Sequence, residues 1–140
     1  MAPNPAQRAS AKLAVGFAVF LGVAEVVRNW GDWGFWPFWV VDYLAVVLLL
    51  AGADGTLRSA RAPQSPLLSG AWGFTCAMFY GSFFGHVAAL RENPTASDHG
   101  PIEHARLTWT IGVLFALTIV GFALSLMRAS EPAEESVERG

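Results

Sequence analysis

The chain has 140 residues, of which 54% are hydrophobic and only 14% charged, with a formal net charge of −2. Soluble domains carry about 25% charged residues, so this composition excludes an ordinary water-facing surface, and the near-neutral balance excludes nucleic acid as a partner. The single cysteine, Cys76, excludes an intrachain disulfide framework.

Four apolar segments follow in chain order, each close to the ~20 residues that cross a hydrocarbon core about 30 Å thick. They span residues 11–27, 35–53, 67–90 and 107–127. Between them lie polar stretches punctuated by glycine and proline: 28–34, 54–66 with Pro63 and Pro66, and 91–106 with Pro94 and Pro101. The expected fold is an all-α membrane protein, a four-helix transmembrane bundle over residues 1–128. Residues 129–140 hold four glutamates and no large apolar group except Val137, and read as a disordered acidic cytoplasmic tail.

Orientation follows from the basic residues in the flanks. Arg8, Lys12, Arg58, Arg61, Arg128 and Arg139 fall on one side, and Arg28, Arg91 and Arg106 on the other, which places both termini inside. The excess of arginine over lysine suits a bacterial source and hence the inner membrane. An alternative reads residues 1–24 as a cleaved signal peptide, because Arg8 and Lys12 precede an apolar run that ends in Gly22-Val23-Ala24.

The third segment carries a ribbon of small residues. Ser69, Gly73, Ala77, Gly81, Gly85 and Ala89 recur every four positions. Membrane helices associate by close approach over small residues, since lipid removes the hydrophobic drive between them. Gly73, Ala77, Gly81 and Gly85 are therefore the expected packing face, with the four-residue drift suiting a right-handed crossing. Its ordinary use is packing within the bundle; its other use is a homodimer or another membrane subunit. Thr108, Gly112, Ala116, Gly121 and Ser125 offer the fourth segment's weaker counterpart.

Trp30, Trp33, Trp36 and Trp39 recur every three residues, and Trp109 joins them on the same side, leaving Trp72 alone on the other. Indoles favour the headgroup level, so an aromatic belt is the plain reading. The concentration on one side points further, to an aromatic mouth for a flat or cationic ligand such as a quinone, a sterol-like lipid or a quaternary amine, with Trp36, Trp39 and Trp109 as its residues.

Carboxylates inside spans cost about 2.5–3.5 kcal/mol on insertion scales, so they face the bundle interior and find partners. Glu25 and Asp42 lie within the first and second segments. Arg28 stands three residues from Glu25 on the same helical face, whereas Asp42 has no basic residue one turn away, so its partner must come from another span. His86 reaches comparable depth in the third segment. Glu25, Asp42 and His86 together suit proton transfer, the imidazole titrating near neutrality. A metal is the other chemistry open to imidazole and carboxylate, with His86, His99 and His104 as ligands, although no HExxH or CxxC spacing supports it. Phosphate loops and nucleophile elbows are absent.

The functional expectation is a small, non-enzymatic integral membrane protein that binds a lipid-like or other small ligand, or a partner membrane protein, through its aromatic half. The alternatives are a proton-coupled enzyme or transporter component using Asp42, His86 and Glu25, and a structural scaffold subunit. On this reading the opposite half of the bundle is chemically inert.

Overall fold

The computed structural model describes residues 4–30, 36–58, 66–92 and 101–127, with side chains described at all of these except 29, 36–38 and 101–104. They form four helices: α1 (Pro5–Asn29), α2 (Trp36–Arg58), α3 (Pro66–Glu92) and α4 (Pro101–Leu126). Each opens on a proline at its first or second position, namely Pro5, Pro37, Pro66 and Pro101. Proline has no N–H to leave orphaned there, and its fixed φ suits the first turn. Pro66 and Pro101 thus begin helices rather than lie in loops, which lengthens α3 and α4 beyond the apolar segments.

Asn4 caps α1 and ties it down. Its side-chain oxygen accepts from the Gln7 N–H at 2.7 Å, and its amide Nδ2 donates to the Met127 carbonyl at 2.8 Å, just past the end of α4. One side chain satisfies orphan groups at the start of one helix and the finish of another.

Helix α1 packs on α2, α2 on α3, α3 on α4, and α4 closes the ring against α1. Neighbours run antiparallel, as the paired positions show. On α3 and α4, Gly73 faces Phe122 and Phe83 faces Gly112; on α1 and α2, Gly22 faces Val46. The result is an up-down-up-down bundle with the start of α1 and the end of α4 at one end. The other end, where α1 and α3 finish and α2 and α4 begin, is rich in tryptophan.

All four helices are long and apolar enough to span a membrane: Pro5–Arg28, Trp39–Arg58, Pro66–Glu92 and Ala105–Leu126. Burial differs from that of a soluble bundle in that the outer surface is apolar as well as the core. Val19, Val23, Val40, Val47, Val113 and Val120 point outward, while Ser10, Thr75 and Thr118 are fully buried. Such a surface suits lipid, and the buried hydroxyls are satisfied within the protein. Thr75 and Thr118 donate to the carbonyls of Ala71 and Phe115 in the preceding turn of their own helices.

The buried stripes alternate three- and four-residue steps. Gln7, Ala11, Ala14, Ala18 and Leu21 form the stripe of α1, and Ala45, Leu49, Gly52 and Thr56 that of α2. This 3.5-residue period is the one that keeps a seam facing its partner in left-handed packing. The four-residue ribbon is not the stripe that α3 buries within the bundle. The buried residues of α3 are Leu68, Ala71, Trp72, Thr75 and Phe79, and the ribbon winds off this stripe. Ser69 and Gly73 still face α4, but Ala77, Gly81 and Gly85 are exposed, and a Cβ on either Gly81 or Gly85 would meet nothing within 4 Å.

Close approach occurs at other glycines. A Cβ on Gly52 would lie 2.7 Å from the Leu68 Cα and 2.9 Å from its N, so α2 and α3 touch backbone to backbone there. On α4, Gly112 takes the edge of Phe83 and Gly121 takes the indole of Trp72.

Candidate functional site

Glu25 and Asp42 approach each other across the α1–α2 contact, near the tryptophan-rich end. Antiparallel pairing sets residue 22 beside residue 46, and one turn further along brings 25 opposite 42. Arg28, one turn beyond Glu25, stands near enough to act on the charge of Asp42, as Glu25 does. The residues of another span that Asp42 meets are thus Glu25 and Arg28 of α1.

These three groups face a cavity of about 240 Å³ to which all four helices contribute. Ser82 of α3 and Thr110 of α4 add hydroxyls; Phe20, Met78, Ile111 and Leu114 make up much of the apolar wall. The Thr110 hydroxyl already donates to the Arg106 carbonyl at 2.9 Å, which leaves its lone pairs as acceptors. The cavity combines apolar walls with a few convergent polar groups, the general pattern of a small-molecule site. Its volume is that of about eight liquid waters at roughly 30 Å³ each. Arg28 on its wall is exposed, as are Phe20, Ser82 and Thr110, whereas Glu25 and Asp42 are half-buried.

Aromatic side chains close the other end. Phe79 lines the cavity and packs edge-on against Phe17, with ring centroids 5.5 Å apart. Phe17 in turn packs edge-on against Trp72 at 5.6 Å. The Trp72 Nε1 donates to the Ser10 hydroxyl at 3.0 Å, and that hydroxyl donates to the Gly121 carbonyl at 2.8 Å. This fully buried relay joins α3, α1 and α4. It overturns one expectation: Trp72 is a core residue rather than an interface marker.

The other anticipated residues fall in different places. His86 is half-buried one turn beyond Ser82 on α3, and does not line the cavity. Trp39 is half-buried on α2. Trp109 is 77% exposed and Trp30 85% exposed, as belt residues are. Trp109 borders a second hollow, an apolar groove of about 420 Å³ between α3 and α4. The side chains of Trp36 and His104 lie outside the described residues, as do Trp33 and His99 entirely. Among the described residues no three His, Cys, Asp or Glu side chains converge as a metal site requires.

Gly52, Ser10 and Phe17 were not singled out from the sequence. Gly52 sits in an unremarkable apolar run, and one serine or phenylalanine in a span carries no signal until its partner is known.

Comparison with protein-family models, curated proteins and solved structures finds no match for this chain. Function must be argued from the site itself.

Proposed function

We propose that this chain is a small, non-enzymatic integral membrane protein that binds a small ligand in the cavity bounded by Glu25, Arg28 and Asp42. The observation that carries this reading is the placement of three charged side chains from two helices on one apolar-walled hollow within the spans. Charge buried at a cost is retained where it does something, and an intramembrane cluster on a cavity is a functional site by default. Two carboxyl groups against one guanidinium leave acceptors in excess. The matching ligand carries a cationic or hydrogen-bond-donating head and an apolar body. A quinone, whose head only accepts, would be met by Arg28 and the Ser82 hydroxyl and would leave the carboxyl groups unmatched.

The Lys and Arg distribution supports an orientation with both termini in the cytoplasm, and the arginine-rich composition supports a bacterial inner membrane. Ser10, Ala14 and Phe17 belong to the core, which supports a retained first helix over a cleaved signal peptide.

The test is Glu25→Gln and Asp42→Asn in purified protein, with co-purifying small molecules identified by mass spectrometry. Folded protein that has lost a ligand present in the wild type supports the proposal. Loss of folded protein in both variants, with nothing bound to the wild type, would mean that the cluster only holds the bundle together, as a scaffold subunit requires.

One observation favours a second reading. Two carboxyl groups, Glu25 and Asp42, face one apolar-walled cavity within the spans, and a carboxyl group so placed can take up and release a proton. They suit a proton-coupled transporter or enzyme component, with His86, one turn beyond Ser82 on α3, as the third candidate. Proton flux into vesicles containing the protein, lost in Asp42→Asn, would favour it; flux equal to that of empty vesicles would remove it.

A further inference from the structure

The groove between α3 and α4 shares no lining residue with the four-helix cavity. Gly112 forms its floor, since the missing side chain lets Phe83 settle onto the α4 backbone. Val87, Leu90, Trp109 and Val113 form much of its walls, and Thr108 brings the one side-chain hydroxyl. A hollow of about 420 Å³ with so little polar lining has nothing to orient a solute, yet its volume falls within the range of about 300–1,000 Å³ typical of ligand sites. Hydrocarbon is the matching occupant.

The charge at its mouth specifies the rest. Arg91 lies one turn beyond Val87 on α3, and Arg106 one turn before Trp109 on α4, and both are exposed. The two helices run antiparallel, so both guanidinium groups stand at the tryptophan-rich end of the groove. Trp109 fixes the depth: an exposed indole sits at headgroup level, and Arg106 is about 4.5 Å further out along the axis at 1.5 Å per residue. Glu92 is the acidic group adjoining Arg91 among the described residues, and it points about 100° away around the helix.

We propose that the α3–α4 groove is a binding site for one anionic phospholipid, with an acyl chain against Phe83, Val87 and Gly112 and the phosphate held between Arg91 and Arg106. Guanidinium pairs phosphate oxygens in a planar, two-pronged geometry, and basic groups at the headgroup level attract anionic lipid. Net-neutral headgroups offer the same chain and phosphate but no net charge, so the site discriminates by headgroup.

The test is native mass spectrometry of the full chain titrated with phosphatidylglycerol or phosphatidylcholine of identical acyl chains. The expected result is one retained phosphatidylglycerol, preferred roughly tenfold or more over phosphatidylcholine. Arg91→Gln with Arg106→Gln reduces that preference to near parity while thermal unfolding stays unchanged. Ala116→Leu, which fills the groove, removes both lipids, whereas Glu25→Gln and Asp42→Asn leave lipid binding intact. Equal binding of the two lipids by the wild type overturns the proposal, as does a preference that survives loss of both arginines. A dimer whose formation is abolished by Ala116→Leu also overturns it, because the groove then belongs to a second copy of the chain.

Discussion

Gly121 lies directly beneath the indole of Trp72, and a Cβ built on Gly121 would fall within the ring's own contact shell. The same glycine's carbonyl accepts from Ser10, and the Ser10 hydroxyl accepts from the Trp72 indole N–H. The missing side chain and the hydrogen-bond relay therefore depend on each other.

Gly121→Ala is expected to destabilise the bundle by about 1–3 kcal/mol, since the fully buried indole is also held by its ring contact with Phe17 and its hydrogen bond to Ser10. Gly81→Ala should change stability by less than about 0.5 kcal/mol, because its surroundings are open. Unfolding in mixed micelles of the two variants side by side checks the ranking. Equal losses would mean that the exposed ribbon contributes to an assembly.

Gly52→Ala should cost more than Gly112→Ala. At Gly52 the obstacle is the backbone of Leu68, which moves only if α2 and α3 separate; at Gly112 it is the far edge of the Phe83 ring, which can rotate. We expect about 2 kcal/mol or more at Gly52 and about 1 kcal/mol at Gly112. The same micelle unfolding measurement reads both, and a reversed order would show that the α2–α3 contact is looser than its geometry.

Ser10→Ala removes one hydroxyl and strands two groups, the Trp72 N–H and the Gly121 carbonyl. Hydrogen bonds between membrane helices average about 0.6 kcal/mol and reach about 1.7. The expected loss lies at the upper end, about 1.5 kcal/mol, because two are lost together. A double-mutant cycle with Trp72→Phe checks this: the coupling should be about 0.5 kcal/mol or more, and near zero if the relay is incidental.

Phe17→Ala should cost about 3–5 kcal/mol, the usual range for emptying a buried aromatic site. Phe17 touches both Trp72 and Phe79, so its loss also removes the partition between the polar cavity and the Ser10 relay. Where the variant folds, indole fluorescence from Trp72 should become accessible to small polar quenchers that enter the cavity. Unchanged quenching would show that Phe79 alone seals the cavity.

The broad architecture was legible because it rests on composition and length. Four apolar runs can satisfy their backbone groups in lipid only as helices, and their spacing leaves connections too short for anything but antiparallel neighbours. Glu25 and Asp42 were equally visible, since a carboxylate in an apolar run stands out against its neighbours whatever surrounds it. Proline was misread at Pro66 and Pro101, where its breaking tendency and its fitness for the first helical turn point in opposite directions along the chain.

The sequence by itself determined that this chain forms apolar helices and that two carboxylates, Glu25 and Asp42, lie within them toward one end. Tertiary structure alone decided which glycines bring helices together. Gly52, Gly112 and Gly121 take a neighbour at close range while Gly81 and Gly85 face open space, although the motif at the latter pair is the more conspicuous. Periodicity marks a helix face but not its partner: the 3.5-residue seam that buries Trp72 rotates the four-residue ribbon outward. For the same reason the partner of Asp42 proved to be Glu25 with Arg28, brought there by the antiparallel register of α1 and α2.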